Sequence, residues 1–248
     1  MSADAGVPAR ILVIDDEAQI RKFLSISLRS QGYVVDEAPD GRSGLEVLAL
    51  HGADLVVLDL GLPDLDGHAV LAELRAWTRV PVVVLSVRAS EAEKVRALDG
   101  GANDYVTKPF GIQELMARVR SLLRGPGAGR EAPPVVDDGH LKVDLARRLV
   151  SLAGEPVRLT RKEWEGLSLL VRNAGCVITQ QQLLREIWGP SHLEDTHYLR
   201  IVVARIRAKL GAGSDLAGRR YVVTEPGVGY RFVVEPAASR SAGPTPRI

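Results

Sequence analysis

At 248 residues, 46% hydrophobic and 25% charged, the chain has globular composition with room for two domains; its lone Cys176 excludes an internal disulfide and, with no Cys/His cluster at zinc spacing, points to a reducing cytoplasm. No apolar run approaches the roughly 20 residues that span a bilayer, and Met1 to Val7 lack the basic and apolar regions of a signal peptide, so neither membrane insertion nor export is expected. The net charge of +1 hides an asymmetry: residues 1–125 carry 14 Lys/Arg against 18 Asp/Glu, or −4, while residues 126–248 carry 18 against 13, or +5. An acidic half can hold a cation and repels nucleic acid, whereas a basic half is the footprint of a phosphate-backbone binder.

Five short apolar runs open the chain, at Ile11–Ile14, Val34–Asp36, Leu55–Leu58, Val82–Leu85 and Tyr105–Val106. Each precedes an amphipathic stretch, ending near Ser30, Leu50, Ala76, Leu98 and Leu123. Strands nearly continuous in Val, Ile and Leu suit a parallel sheet covered on both faces, so the spacing predicts a five-stranded, doubly wound α/β domain.

Ligands of such sheets bind beyond the carboxyl ends of the strands. There the sequence puts Asp15 and Asp16 after the first strand, Asp59 at the end of the third, Ser86 at the end of the fourth and Lys108 just past the fifth. Three carboxylates on one rim raise one another's pKa unless a cation neutralises them. Hard oxygen donors without His or Cys favour Mg²⁺, which also binds phosphate oxygens. The chemistry this predicts is phosphoryl transfer, with Asp59 as nucleophile, Lys108 screening the equatorial oxygens and Ser86 donating a hydrogen bond to one of them. Asp64-Leu-Asp66-Gly67 supplies a rival, since Asp-x-Asp-Gly occurs in aspartate-nucleophile phosphohydrolases; its place in a loop after Pro63, and not at the end of a first strand, argues against that role.

Ile11-Leu-Val-Ile-Asp15-Asp16-Glu17, Val56-Val-Leu-Asp59-Leu-Gly61-Leu-Pro63-Asp-Leu-Asp-Gly67, Val84-Leu-Ser86 and Asp104-Tyr105-Val-Thr-Lys108-Pro109-Phe110 together resemble the receiver domain of bacterial response regulators, a flavodoxin-like fold, across residues 9–124. The resemblance implies that Asp15, Asp16 and the backbone carbonyl of Gly61 share Mg²⁺ with Asp59. It implies a sensor histidine kinase as phosphoryl donor, Ser86 and Tyr105 as the pair that reports phosphorylation, and a cis Lys108–Pro109 bond. Members of this class also form a homodimer on phosphorylation through charged pairs on their fourth and fifth helices. Lys94, Asp104, Glu114 and Arg118 match those positions, while Asn103 stands where an Asp is common.

Gly125 to Pro134 has no hydrophobic periodicity and is rich in Gly and Pro, so residues 125–135 are expected to be a linker, and residues 237–248 a disordered tail. Between them the pattern is of short strands at Leu141–Asp144, Leu149–Leu152 and Val157–Leu159, with a turn from Ala153 to Pro156. Thr160-x-x-Glu163 is a capping box opening a helix to about Asn173; Thr179 caps a second helix that stops at Gly189-Pro190. In the third, from Asp195 to Gly211, Leu199, Val203, Ile206 and Leu210 form one apolar stripe, and His197, Tyr198, Arg200, Arg205, Arg207 and Lys209 occupy other faces. A helix of that kind fits a major groove, where Arg donates two hydrogen bonds to guanine or grips phosphates.

A hairpin, Tyr221 to Phe232 around Gly227, completes a pattern that resembles the α+β winged helix of OmpR/PhoB-class regulators over residues 136–235. The resemblance implies double-stranded promoter DNA as partner. By position it makes Arg200, Arg205 and Arg207 recognition-helix candidates and Tyr230 a core anchor of the wing; His197 and Tyr198, on the same non-apolar faces, complete the DNA-binding candidates. Pro226 takes a turn position where some members place a groove-inserting Arg, so a minor-groove contact is not carried over. Within the class, Ser86-Val-Arg, Lys108-Pro-Phe-Gly-Ile-Gln-Glu-Leu115 and His192-Leu-Glu-Asp-Thr-His-Tyr-Leu-Arg-Ile201 look like the members that regulate an inducible high-affinity potassium-uptake transporter. The reading is therefore of a phosphorylation-switched, non-enzymatic transcription regulator whose only catalysis is transfer to and from its own Asp59. The alternatives are a phosphotransfer protein with a catalytic output, and a receiver with an RNA- or protein-binding output. The first lacks a nucleotide-binding glycine loop after the linker; the second is opposed by the basic third helix and the wing.

Overall fold

A computed structural model describes residues 8–87, 90–124, 135–211 and 220–234. The chain divides into two compact units, Met1–Glu131 and Ala132–Ile248. The expected tail lies outside the described residues, as does the expected linker save for Val135, which already belongs to a strand.

In the first unit, β1 (Arg10–Ile14), β2 (Val34–Ala38), β3 (Leu55–Asp59), β4 (Val82–Ser86) and β5 (Asp104–Thr107) form one parallel sheet in the order β2-β1-β3-β4-β5. They alternate with α1 (Ala18–Arg29), α2 (Gly41–His51), α3 (Gly67–Trp77), α4 (Glu91–Asp99) and α5 (Ile112–Arg124). Every residue of β3 and β4 is buried, as expected of strands covered on both faces. The order reverses at β1 and β3, so the loops after those strands open onto one crevice.

Loop carboxylates start the helices around that crevice. Asp64 accepts hydrogen bonds from the amides of Gly41 and Arg42 at the start of α2, at 2.9 and 3.0 Å, and Asp66 accepts from His68 N at the start of α3 at 2.9 Å. Both acids of the phosphohydrolase-like Asp-x-Asp-Gly run thus bind orphan helix amides, ordinary N-terminal capping chemistry. Gly67 is required by contact: a Cβ there would lie 2.5 Å from Leu60 Cα and 2.8 Å from the Asp59 carbonyl.

The second unit begins with an antiparallel sheet, β6 (Val135–Asp137), β7 (Leu141–Asp144), β8 (Leu149–Leu152) and β9 (Glu155–Pro156), paired in chain order. The strand expected at Val157–Leu159 is not formed. Pairing with β8 is made by Glu155 and Pro156 directly after the two-residue turn, and Val157 adds one hydrogen bond to Val150 before the chain leaves. Next come α6 (Arg161–Arg172), the short β10 (Val177–Thr179), α7 (Gln180–Trp188), a 3-10 turn at Pro190–His192 and α8 (Thr196–Leu210). The hairpin β11 (Val222–Glu225) and β12 (Gly229–Phe232) closes a second sheet in the order β10-β12-β11. A side chain at Gly229 would come within 1.9 Å of the Ile178 carbonyl, so the β10–β12 approach depends on that glycine.

Capping boxes open α6 and α7, with Thr160 and Glu163 in the first and Thr179 and Gln182 in the second. The core gathers Leu167, Leu170, Leu184, Leu199, Val203 and Ile206 from the three helices with Tyr221, Tyr230 and Phe232 from the hairpin. Three helices and an antiparallel hairpin on one core make this an α+β winged helix.

Candidate functional site

The first site lies at the crevice. Asp15 follows β1 and is fully buried, Asp59 ends β3 and is almost so, and Asp16 and Glu17 are exposed beside them. Each of these four offers a carboxylate oxygen, and all four oxygens lie within 4.8 Å of one another. Lys108, delivered by the loop after β5, reaches across: its Nζ donates to Asp15 Oδ2 at 2.9 Å, Asp59 Oδ2 at 3.0 Å and Glu17 Oε1 at 3.2 Å. The Lys108–Pro109 bond preceding α5 is cis, as the sequence resemblance implied.

Burial pushes the Asp15 carboxyl above its ordinary range, and the Lys108 hydrogen bond and charge offset this only in part. Burial alone would depress the Lys108 pKa, but its hydrogen bonds to Asp15 and Asp59 reverse this and hold it well above the usual lysine value. The ammonium is therefore charged throughout the neutral range, and the three carboxylates of Asp15, Asp59 and Glu17 share it. A set of oxygen donors with surplus negative charge and no nitrogen or sulfur is chemically suited to a hard divalent cation.

Ser86, at the end of β4, and Gly61, in the loop after β3, line the same cleft of about 550 Å³ as Asp16, Asp59 and Lys108. A Cβ on Gly61 would sit 3.6 Å from Asp59 Oδ2, so that loop crosses directly beside the carboxylate. Tyr105 is buried on β5, on the strand next to Ser86 and in register with Val84. The structure thus brings Asp15, Asp16, Asp59, Gly61, Ser86 and Lys108 together at one cleft. Glu17 joins them although the sequence reading gave it no role; its signal was its place in the Asp15-Asp16-Glu17 run.

Three of the four charges expected at a dimer face pair within the chain. Arg118 donates to both oxygens of the buried Asp104, at 2.9 and 3.0 Å, and to Glu114 at 2.8 Å. Lys94 stands apart on α4, half-buried. Asn103 turns its amide oxygen inward, accepting from Val82 N at 2.9 Å and Arg75 at 3.0 Å.

On α8, His197, Tyr198, Arg200 and Arg205 are exposed, and Ile201 lies among them. Arg207 is a correction. Its side chain is buried, donating from Nε to the Val222 carbonyl at 2.8 Å and from the guanidinium to Thr224 Oγ1 at 2.7 Å, with the Tyr230 ring 5.7 Å away. It ties α8 to the hairpin and is not presented to a ligand. Lys209, on the opposite flank of the helix, is similarly engaged, at 2.5 Å from the buried Glu163. Burial opposes ionisation of Glu163, but the Lys209 hydrogen bond and the Thr160 amide hold its pKa below the usual carboxylate range.

Residues 11–120 match the response regulator receiver domain family and residues 154–232 match the family described as transcriptional regulatory protein, C terminal. The KDP operon transcriptional regulatory protein KdpE of Escherichia coli (strain K12) is 46% identical over 224 residues, which is 90% of this chain and 99% of that protein. The chain belongs to the OmpR/PhoB-type response regulators. KdpE of Mycobacterium tuberculosis (strain ATCC 25618 / H37Rv) is also 46% identical, over 90% of this chain and 98% of the relative. The sensory transduction protein RegX3 of Mycolicibacterium smegmatis (strain ATCC 700084 / mc(2)155) is 39% identical over the same shares. This response regulator has a receiver followed by a DNA-binding output. Among the described residues no helix is long and apolar enough to cross a membrane.

Proposed function

We propose that a sensor histidine kinase phosphorylates Asp59 in a Mg²⁺-dependent reaction and that the phosphorylated protein binds promoter DNA as a homodimer, with residues 9–124 as receiver and 136–235 as DNA-binding domain. The observation that carries the reading is the convergence of Lys108 with Asp15, Asp59 and Glu17 at one cleft. Asp59 is the nucleophile; Lys108 and the Ser86 hydroxyl bind oxygens of the incoming phosphoryl group. Asp15, Asp16, Asp59 and the Gly61 carbonyl would hold Mg²⁺, which neutralises charge on the transferred group. Ser86 and Tyr105 report the added charge.

The kinase has a surface to dock on beside the cleft: Phe23 and Ile26 on α1 are 49% and 61% exposed, and Phe23 shares an apolar groove with Pro109 and Phe110. Dimerisation through Lys94, Asp104, Glu114 and Arg118 exchanges partners, because Arg118 already has carboxylates of its own chain. DNA is read by His197, Tyr198, Arg200 and Arg205. The target is an operon for potassium uptake, supported by the two KdpE relatives, and the protein acts in the cytoplasm, where promoter DNA lies. Catalysis is confined to transfer to and from Asp59. An RNA- or protein-binding output is not favoured, since residues 154–232 match a transcriptional regulatory domain.

Incubation with a small phosphoryl donor and Mg²⁺, followed by mass measurement, tests the acceptor: one phosphoryl increment is expected, lost in Asp59→Asn. Genome-wide mapping of bound sites tests the target, and sites away from any potassium-uptake operon would remove that assignment.

A further inference from the structure

His68 and Glu93 form a pair on the wall of the Asp59 cleft to which phosphoryl transfer gives no part. His68 Nε2 lies 3.3 Å from Glu93 Oε2, with side chains only 12% and 20% exposed. His68 is the second residue of α3 and Glu93 the third of α4, so the pair joins the first turns of two helices across one rim. Both line the cleft that also holds Asp59, Ser86 and Lys108.

The two residues are held differently. His68 follows Gly67, which is packed on the Leu60 and Asp59 backbone, and its amide is fixed by Asp66 at 2.9 Å. Its backbone is packed against the end of β3, so a change of hydrogen-bond partner would be made by rotation of its side chain. Glu93 belongs to a helix started by Ser90, whose hydroxyl accepts from Glu93 N at 3.3 Å, and Arg96 lies 3.9 Å from its other oxygen. An ionised carboxylate can only accept, so a hydrogen bond to ionised Glu93 requires the tautomer with the proton on His68 Nε2. The cleft therefore contains, besides the Lys108 ammonium, an N–H donor on α3 whose acceptor lies on α4.

A phosphoryl group on Asp59 brings three acceptor oxygens and a charge of roughly −1.5 to −2 into the same cleft, against the single charge of Glu93. Charge-assisted hydrogen bonds strengthen with the charge on the acceptor. We propose that His68 is a positioning residue for the phosphoryl group: on phosphorylation its Nε2–H leaves Glu93 for a phosphoryl oxygen, and the first turn of α4 loses this hydrogen bond to α3. The exchange couples the state of Asp59 to α4 by a route separate from Ser86 and Tyr105. It rests on the reading of Asp59 as phospho-acceptor.

The test uses the full chain with Mg²⁺ and beryllofluoride, a phosphoryl mimic, observed by NMR of the His68 ring and by hydrogen exchange of the α4 first-turn amides. The expected result is a shift of the His68 ring nitrogens on adding beryllofluoride, with exchange at Glu93 and Lys94 accelerated roughly tenfold, the scale of one charged hydrogen bond. In His68→Leu that exchange is fast with or without the mimic; His68→Gln, whose amide can donate to either acceptor, restores the dependence. Beryllofluoride bound at Asp59 with an unmoved His68 ring and unchanged α4 exchange overturns the inference and leaves the acceptor reading intact. No beryllofluoride bound at all overturns both.

Discussion

In the receiver cleft, Lys108 is shared by three carboxylates at 2.9 to 3.2 Å, and Asp15 and Asp59 are buried before any ligand arrives. On α8 the opposite holds: Arg200, Arg205, His197 and Tyr198 stand in solvent, and the two engaged cations, the buried Arg207 and the half-buried Lys209, serve the fold. A cleft that recognises one small group has its electrostatics fixed in advance, in a medium where each charge counts heavily. A surface that recognises a polyanion gains its energy on contact, by releasing counterions from the DNA. Substitutions in the first region should therefore act as all or none, and those in the second by increments.

The largest expected effect is that of Asp59→Asn, which removes the phosphoryl mass increment entirely; partial labelling at another residue would break the contrast. Replacing both Arg200 and Arg205 with Ala is expected to weaken duplex binding on the order of a hundredfold, at about 1–3 kcal/mol for each base-reading arginine. Binding titrations against salt check this: the slope becomes shallower for each phosphate that is no longer neutralised, while the denaturation midpoint stays where it was. Arg207→Ala should behave like a cleft substitution and not like its exposed neighbours. It strands the Val222 carbonyl and Thr224, and a stability loss of about 2–3 kcal/mol should appear in urea unfolding.

Glu163→Gln gives the smallest change, about 1–2 kcal/mol, because Lys209 retains some solvent. Its pH dependence is the diagnostic. The folded-state pKa of Glu163 is depressed, so its stabilisation is complete above the unfolded carboxyl pKa and is lost as pH falls through the folded value. The difference between wild type and variant should shrink below pH of about 4. Urea midpoints read at Trp164 and Trp188 in a Trp77→Phe background measure it.

The parallel sheet was legible because its strands are unbroken apolar runs, and the rim because Asp15, Asp59, Ser86 and Lys108 each fall within a residue or so of a strand end. Three short strands escaped notice. β6 follows Pro133-Pro134, β9 contains a proline within an expected turn, and β10 is a three-residue Val-Ile-Thr segment too short to show a period. Arg207 departs from the expectation because its charge is met inside the fold and not in solvent. At about 100° per residue it lies about 80° from Leu199, on the flank of the buried stripe, while Arg205 lies about 120° away on the other side. The angle was available in the sequence; the acceptors at Val222 and Thr224 were not, since they depend on where the hairpin packs. The His68–Glu93 pair was hidden for a similar reason, its two members lying far apart in the chain.

Charge added at Asp59 is proposed to change how α8 meets DNA. The affinity of the full chain for a potassium-uptake promoter, measured with and without a small phosphoryl donor and Mg²⁺, tests it directly in wild type and in Asp59→Asn. Tighter binding on phosphorylation in wild type alone is predicted; equal affinity in both states, or the same gain in Asp59→Asn, would contradict it.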